Sequence, residues 1–418
     1  MTAIPKSLLQ DLFEAAVSAA DPGLRLRSAV PAPPKGRTIV IGAGKAAAHM
    51  AAALEAVWPA PLSGTVVTQY GARVPCQHIN VLEAAHPVPD HAGLAASEAL
   101  FQAVSDLTAE DLVIALISGG GSSLLPAPVA GLELADEQLL GRALLASGAP
   151  ISVMNLLRKQ ISRIKGGKLA AAAHPARVVT LIISDVPGDI PNEVASGPTI
   201  PGPGGGREAA KALAHLRLSL PPHLDRALRA GTAPRPNAPE FARDAVHVIA
   251  SAQLSLAAAA DLARQRGIEV RVLSDAIEGE ARRVGADHAR LALAEAGARA
   301  PASPPLLLLS GGETTVTLTG AGRGGRNTEY LLAFALDIAG HPGITALAAD
   351  TDGIDGTENN AGAFADGNTV AKITAAGGDA AQLLATHDTW RAFDLAGDLF
   401  VTGPTGTNVN DFRAILIG

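Results

Sequence analysis

A chain of 418 residues, 48% of them apolar, is long for one hydrophobic core and ample for two, so two domains are expected. A formal charge of -7, from 33 basic against 40 acidic residues, and an aromatic content of 3% exclude a nucleic-acid partner, since there is neither a basic excess for phosphates nor a supply of stacking rings. The single cysteine, Cys76, excludes an intrachain disulfide and suits a reducing cytoplasm, the expected location.

The amino terminus, MTAIPKSLLQDLFEAAVSAADPG, has no basic segment leading into an apolar core and reads as an amphipathic helix stopped by Asp21-Pro22-Gly23. Alanine-rich stretches such as 46–53 are broken well short of a bilayer span, so a soluble protein with no membrane partner is expected. Strand-like apolar runs at 38–42, 64–68, 79–84, 112–118 and 178–184 alternate with helical patterns at 46–57, 92–104, 137–146 and 153–173. This is the βαβ rhythm of an α/β fold with a doubly wound sheet. After Pro198 the chain turns to loops and short helices, and TAPRPNAPE at 232–240 reads as a linker or hinge. The domains are placed at 1–238 and 239–418. The second resumes with a strand at 246–251, a helix at 252–266, a strand at 269–273, a helix at 280–296 stopped by Gly297, and a strand from 306. A helix at 328–339, a strand at 345–349 and late strands at 399–402 and 414–417 complete a second α/β unit. No repeat of fixed period is present, which excludes a solenoid.

Two distant segments echo one another, IALISGGGSSLL at 114–125 and LLLLSGGETTVTL at 306–318. Each is an apolar strand run that breaks into Ser-Gly-Gly, a turn that brings bare backbone N–H groups to the carboxyl edge of a parallel sheet, where phosphates bind. In the first, Ser118, Gly119, Gly120, Gly121, Ser122 and Ser123 are expected to contact a nucleotide or phosphate through backbone and hydroxyls; the alternative is a tight turn that lets strand and helix pack. It lacks the lysine of GxxxxGK[ST] and is not a Walker A loop. Gly311 and Gly312 hold the equivalent place in the second.

IGAGKAAAHM at 41–50 follows the first strand, but position 47 is alanine and no acidic residue closes the next strand, so it is a poor dinucleotide fingerprint. Gly44 and Lys45 stand out instead. A lysine at the first turn of a helix adds charge to an anion site where the dipole already favours anions; otherwise it faces solvent after a tight turn. SDVPGDIPNEVASGPT at 184–199 carries Asp185, Asp189 and Glu193 with Asn192 beside them, hard oxygen donors suited to Mg²⁺ or to a nucleotide, or else caps of a turn. GAGRGGRNTEY puts Arg323 and Arg326 in a glycine-rich loop entering a helix, where an arginine can stabilise charge in phosphoryl transfer or lie solvated in a turn. AADTDGIDGTENNAGAF brings Asp350, Asp352, Asp355 and Glu358, an active-site wall or solvated turn carboxylates; the DxDxDG register of a calcium loop is missing. TGPTGTNVND at 402–411, with Thr405 and Asn408, binds a polar substrate or simply turns. His86, in AAHPVPD, is as readily a structural loop residue as an active one. The lack of HExxH, CxxC and GxSxG removes metalloprotease, zinc-site and hydrolase-elbow readings.

Taken in order, IGAGKA, AAHPVPD, LISGGGSSLLPAP, MNLLRKQISRIKGGKLA, ISDVPGDIPNEVASGPT, LSGGETTV, GRGGRNTEYLLAFAL, ADTDGIDGTENNAGAF and VTGPTGTNVND resemble the glycerate 2-kinase family, whose carboxy-terminal part is the MOFRL domain. The resemblance spans nearly the whole chain. It implies a Rossmann-like amino-terminal domain, a smaller MOFRL-type α/β domain, and an active site in the cleft between them. It implies ATP, Mg²⁺ or another divalent cation, and phosphorylation of D-glycerate at its 2-hydroxyl to give 2-phosphoglycerate and ADP, by a monomer or homodimer. Lys45 and Arg326 then occupy the family's essential lysine and arginine positions. Arg326, Lys45, Thr405 and Asn408 are the expected substrate contacts, and Asp189, Glu313 and Asp352 the expected metal ligands, with Asp189 also catalytic. The acceptor of the hydroxyl proton stays open among Asp185, Asp189, Glu313 and Asp352. The rival readings are an NAD(P)H-dependent hydroxypyruvate reductase, a name that some similar proteins carry, and a sugar-phosphate sensor without turnover. Anion-binding edges on separate domains serve one ATP and one glycerate only if the hinge at 232–240 closes, so ligand is expected to compact the protein.

Overall fold

The computed structural model describes every residue except 1, 2, 232–236, 301, 319 and 321. The chain divides into two compact units, one of Pro22–Ile249 and one of Met1–Asp21 with Ala250–Gly418.

The first unit holds β1 (Thr38–Ala43), β2 (Ser63–Gln69), β3 (Ile79–Ala84), β4 (Leu112–Ser118), β5 (Arg177–Ile183) and β6 (Ala245–Ala250) in a six-stranded sheet of order β3-β2-β1-β4-β5-β6. Every residue of β1 and β4 is buried, which is why these runs carry no polar alternation. Each fully buried Ile, Leu or Val there stabilises the fold by about 1.5–3 kcal/mol. β1 pairs in parallel with β2 on one side and β4 on the other, Val40 facing Gly64 and Ile114. The chain therefore steps outward from β1 to β3 and returns across β1 to lay down β4. That reversal opens a crevice at the carboxyl ends of β1 and β4, where open α/β sheets bind ligands.

Helices Leu134–Ala146, Ile151–Gln160, Gly206–Leu216 and Pro222–Ala230 share a satellite core through Leu140, Leu144, Met154, Leu157, Leu213 and Leu228. The helix expected over 153–173 is in fact two, Ile151–Gln160 and Lys168–Ala173. Gly166 and Gly167 lie between them at φ +70° and +85°, a left-handed region that ends a helix while the apolar pattern runs on. The strand expected to open the second domain is β6, the edge of the first sheet. The hinge expected at 232–240 lies partly outside the described residues; Pro239–Phe241 form a short 3-10 turn.

The second unit holds β7 (Glu269–Ser274), β8 (Gly279–Glu280), β9 (Leu306–Ser310), β10 (Thr314–Thr315), β11 (Ile344–Asp350), β12 (Gly362–Asp366), β13 (Leu399–Phe400) and β14 (Asp411–Ile417). β8 and β10 pair as a small parallel ribbon, and the others form a mixed sheet of order β13-β12-β11-β14-β9-β7. β14 runs antiparallel to both β11 and β9, which sets Asp350 opposite Asp411 at the end of the ladder. Helices Ala281–Ala298 and Arg326–Asp337 contribute to the apolar core on one face. The core on the other face takes Leu9, Leu12, Phe13 and Ala16 of the amino-terminal helix Ala3–Ala19, packed with Leu256, Leu307, Leu309 and Phe412. Phe13 meets Phe400 and Phe412 edge-on at centroid distances of 5.1 and 5.8 Å. The expected division at 238/239 thus differs from the compact units at both ends of the first one. An amphipathic stripe shows that a helix has a partner, not which partner it has. Among the described residues no helix is long and apolar enough to cross a membrane.

Candidate active site

In the first unit the loops leaving β1 and β4 are bonded to each other. Lys45 N–H donates to the Gly119 carbonyl at 2.9 Å and Ala46 N–H to Ser118 Oγ at 3.0 Å, while Gly44 N–H reaches Val67 O at 3.1 Å. The helix begins at Ala47 with Ala46 as its cap, so Lys45 precedes the first turn instead of lying within it. Two glycines are required by what approaches them. A Cβ on Gly119 would stand 1.8 Å from the Asp185 carboxylate, and one on Gly120, at φ +79°, would stand 3.0 Å from His86 Nε2 and 3.2 Å from Lys45 Cγ. Bare backbone, a lysine, a histidine and an aspartate from the ends of β1, β3, β4 and β5 thereby converge on one edge. Burial, followed by the Lys45 charge, pushes the His86 imidazole down to about 4.

The serine hydroxyls are largely spent within the loop. Ser123 Oγ donates to Gly120 O at 3.0 Å. Ser196 Oγ donates to Asn155 Oδ1 at 2.7 Å, so the 2.9 Å contact of Ser122 Oγ with Ser196 Oγ uses the Ser122 proton. An anion at this edge would find its donors in backbone N–H groups, Lys45 and His86. Asn155 and Lys159 in turn hold Glu193, at 2.7 and 3.2 Å. Ala195, Ser196 and Gly197 follow one another at positive φ, with Asp189 at φ +50° nearby, a loop shape that its hydrogen bonds must impose against about 1–2 kcal/mol per non-glycine residue. The Asp189 carboxylate is half-buried without a hydrogen bond among the described residues, and Asn192 lays its amide against Gly202 beside Lys159 Nζ. Lys168 braces the end of helix Ile151–Gln160 by donating to Lys159 O at 2.8 Å and to Ser162 O, and burial, then Lys165, brings it down to about 8.

In the second unit Arg326 opens helix Arg326–Asp337 and is enclosed by carboxylates. Nε donates to Asp411 at 2.8 Å, Nη2 to Asp350 at 2.6 Å and Nη1 to Glu313 at 2.9 Å. Burial works against its charge, but Asp411, Asp350 and Glu313 outweigh that and raise its pKa above the ordinary arginine value. Asp411 also accepts from Asn327 Nδ2 at 2.8 Å and from the fully buried Arg413. Asp355 anchors the helix entrance, accepting the N–H groups of Asn327 and Thr328 at 2.9 Å each. Gly311 and Gly312 tie the strand ends together, Gly311 N–H to Ser274 O at 2.8 Å and Asp411 N–H to Gly312 O at 3.1 Å.

Several expected contacts have other employment. Thr405 N–H donates to Asp352 O at 3.1 Å and its hydroxyl to Thr351 O, while Asn408 Oδ1 closes a turn on Asn410 N–H at 3.1 Å. Arg323 is an exposed clasp, paired with Glu358 at 3.0 Å and stacked over Trp390 at 4.2 Å. Among the described residues no group of three or more His, Cys, Asp or Glu side chains is arranged to hold a metal ion. The expected ligands Glu313 and Asp352 lie in the second unit and Asp189 in the first. The donor chemistry of the second unit still suits a hard cation, because Asp350, Asp352, Asp355, Asp411 and Glu313 outnumber Arg326 and Arg413. Burial raises the Asp350 pKa, Arg326 opposes this, and Asp352 and Asp411 add to it. Such a surplus fits Mg²⁺ held by one or two carboxylates together with water and phosphate oxygens. Arg413 was not among the expected site residues; Asp350 was expected as part of an active-site wall or a solvated turn, and Asp411 only as the last residue of the 402–411 loop. Asp350 and Asp411 are register partners on strands distant in sequence, a relation that no local pattern announces.

Fold and site define a two-domain α/β protein. Residues 8–229 match the domain of unknown function DUF4147, and residues 306–411 match the MOFRL family. The chain belongs to the glycerate 2-kinase family. It is 36% identical to the D-glycerate 2-kinase of Thermotoga maritima, over 99% of this chain and 98% of that protein. It is 49% identical to an Agrobacterium vitis protein provisionally named a hydroxypyruvate reductase, over 99% of this chain and 94% of that one. The crystal structure of a Thermotoga maritima glycerate kinase matches the fold with a TM-score of 0.89 at 35% identity, covering 99% of both chains.

Proposed function

We propose that this chain transfers the γ-phosphoryl group of ATP to the 2-hydroxyl of D-glycerate, giving 2-phosphoglycerate and ADP in the cytoplasm. The observation that carries the proposal is the whole-chain likeness to D-glycerate 2-kinase, joined to a crevice edge that offers a lysine and bare backbone. The Lys45 ammonium makes no hydrogen bond among the described residues, so it is available to neutralise charge on the phosphoryl group in flight. Arg326 receives the glycerate carboxylate. Asp411 and Asp350, buried at 0% and 6% side-chain exposure, fix the guanidinium, while Glu313, 53% exposed, is the partner a substrate carboxylate can displace. Mg²⁺ would offset the charge of the nucleotide phosphates, with Asp352 and Glu313 of the second unit as its proposed ligands. With the carboxylate anchored, the adjacent 2-hydroxyl is held, whereas the 3-hydroxyl swings on one further bond.

The reductase reading has the name of the Agrobacterium vitis relative in its favour. Against it stands β2, the neighbour of β1, which ends in Thr68 and Gln69 where a dinucleotide fold places the carboxylate that holds the ribose. The deciding assay feeds ATP, Mg²⁺ and D-glycerate to the purified chain and couples the product to enolase and pyruvate kinase without phosphoglycerate mutase. A signal is expected directly. A signal only after mutase is added would overturn the 2-position, and oxidation of NADH or NADPH by hydroxypyruvate with no ADP formed from glycerate would overturn the kinase.

A further inference from the structure

The buried His288 and the half-buried His86 differ in how their rings are satisfied. His288 bonds the Tyr330 hydroxyl through Nδ1 at 2.8 Å, the arrangement of a packed structural imidazole. His86 has no such partner: among the described residues neither of its ring nitrogens makes a hydrogen bond, although the ring is half-buried. Its backbone position is nevertheless fixed. Asp90 accepts Ala85 N–H at 3.3 Å, caps helix His91–Ala103 through Gly93 N–H at 3.0 Å, and accepts the Tyr70 hydroxyl at 2.7 Å. Asp90 is therefore committed elsewhere, as is Glu83, which accepts Gly71 N–H at 2.7 Å, and the charged group that acts on the ring is Lys45. Ring and lysine stem meet over Gly120, whose missing Cβ would otherwise stand 3.0 Å from Nε2 and 3.2 Å from Lys45 Cγ.

We propose that His86 is a ligand-contacting residue of this edge, donating a hydrogen bond from Nε2 to an oxygen of the phosphate-class anion that Lys45 receives beside Gly120. The inference rests on the reading of Lys45 as a phosphoryl contact. A polar ring that is held in place, partly desolvated and unspent at a sheet edge is preorganised for a ligand. Its charge state suits the task. Burial and the Lys45 charge keep it neutral at physiological pH, so it keeps one N–H donor and adds a hydrogen bond without setting a second cation against the ammonium. It acts as a fixed donor to oxygen and does not exchange protons with the substrate.

The test uses the full chain. His86→Ala is expected to lower kcat by about 100-fold, the range seen when one preorganised donor is removed, with a smaller change in KM for ATP. His86→Gln, which retains an N–H at similar reach, should recover about tenfold of that loss. In the wild-type chain the His86 ring nitrogens, followed by NMR, should stay neutral from pH 8 to 5.5 and should shift when Mg²⁺ and ATP are added without glycerate. Three results overturn the proposal: an alanine variant within threefold of wild type, equal glutamine and alanine variants, or a ring that titrates near its ordinary value and ignores ATP. The NMR readout on the wild type stands even if a variant fails to fold. It also separates the two ideas, since a shift with ATP in a chain that leaves glycerate untouched retains the His86 contact and removes the kinase, whereas an active kinase with an indifferent ring does the reverse.

Discussion

Replacing Arg326 with alanine would leave Asp350 and Asp411 buried without the cation that lies 2.6 and 2.8 Å from them. Breaking a buried pair from one side costs about 3–5 kcal/mol, because the remaining charge cannot return to water. Asp411 keeps Arg413 and Asn327, which places the expected cost toward the lower limit, about 3 kcal/mol. The Glu313 contact adds no more than about 1 kcal/mol, since that side chain is 53% exposed. A loss of this size lowers the melting temperature of a unit of some 150–250 residues by roughly 6–12 °C. Turnover should fall at least ~100-fold in kcat/KM, about 2.7 kcal/mol of transition-state stabilisation. Arg326→Lys separates the two effects. Its ammonium keeps the charge but cannot serve three carboxylates from one plane, so it should recover most of the melting temperature while activity stays down at least ~100-fold. Calorimetry and coupled ADP release measure both. An alanine variant that melts with the wild type would refute the carboxylate cage, and a lysine variant with near wild-type turnover would refute the need for the guanidinium.

Lys45→Ala should lose at least ~100-fold in kcat/KM with a melting temperature close to wild type, because the ammonium makes no hydrogen bond among the described residues; turnover within threefold would remove Lys45 from the mechanism. His288 predicts acid lability of the second unit. Burial, followed by the Arg413 charge, holds it down to about 4, whereas an unfolded imidazole titrates near ~6.5. Above the unfolded value both states are neutral and no stability is lost; as pH falls to 5 the unfolded chain gains a proton that the folded one refuses, at a cost of about 2 kcal/mol. Urea unfolding followed by Trp390 fluorescence in a Trp58→Phe background should show this slope between pH 7 and 5. His288→Gln should flatten it, and an unchanged slope would show that another group is responsible.

The sequence displayed the elements that are buried on both faces most clearly. The run at 112–118 coincides with β4, and that at 38–42 falls one residue short of β1, because central parallel strands need continuous apolar side chains. Lys45 and the glycines before Ser122 were legible for a related reason, since a strand that ends in a glycine turn exposes backbone wherever it occurs. What escaped notice depended on pairing across the chain. β6 reads as a strand from its own residues, but which sheet it joins is decided by β5. Asp350 and Asp411 become one site only through the register of β11 with β14, and the Ser122 and Ser123 protons of the first glycine loop are consumed by Ser196 and Gly120, contacts that composition does not reveal.

The helix Ala3–Ala19 buries Leu9, Leu12, Phe13 and Ala16 against residues that begin at Leu256 and extend to Ala414. During synthesis its apolar stripe emerges well before its seat. At translation rates of ~5–20 residues per second, the roughly 240 residues before the first of those partners take on the order of 10–50 seconds to make. Over that interval the contiguous segment Pro22–Ile249 can complete its own sheet, while the leading helix waits with its greasy face unclaimed. Until that seat is made the stripe is an uncovered apolar face of the nascent chain, the kind of surface that a nascent-chain chaperone shields.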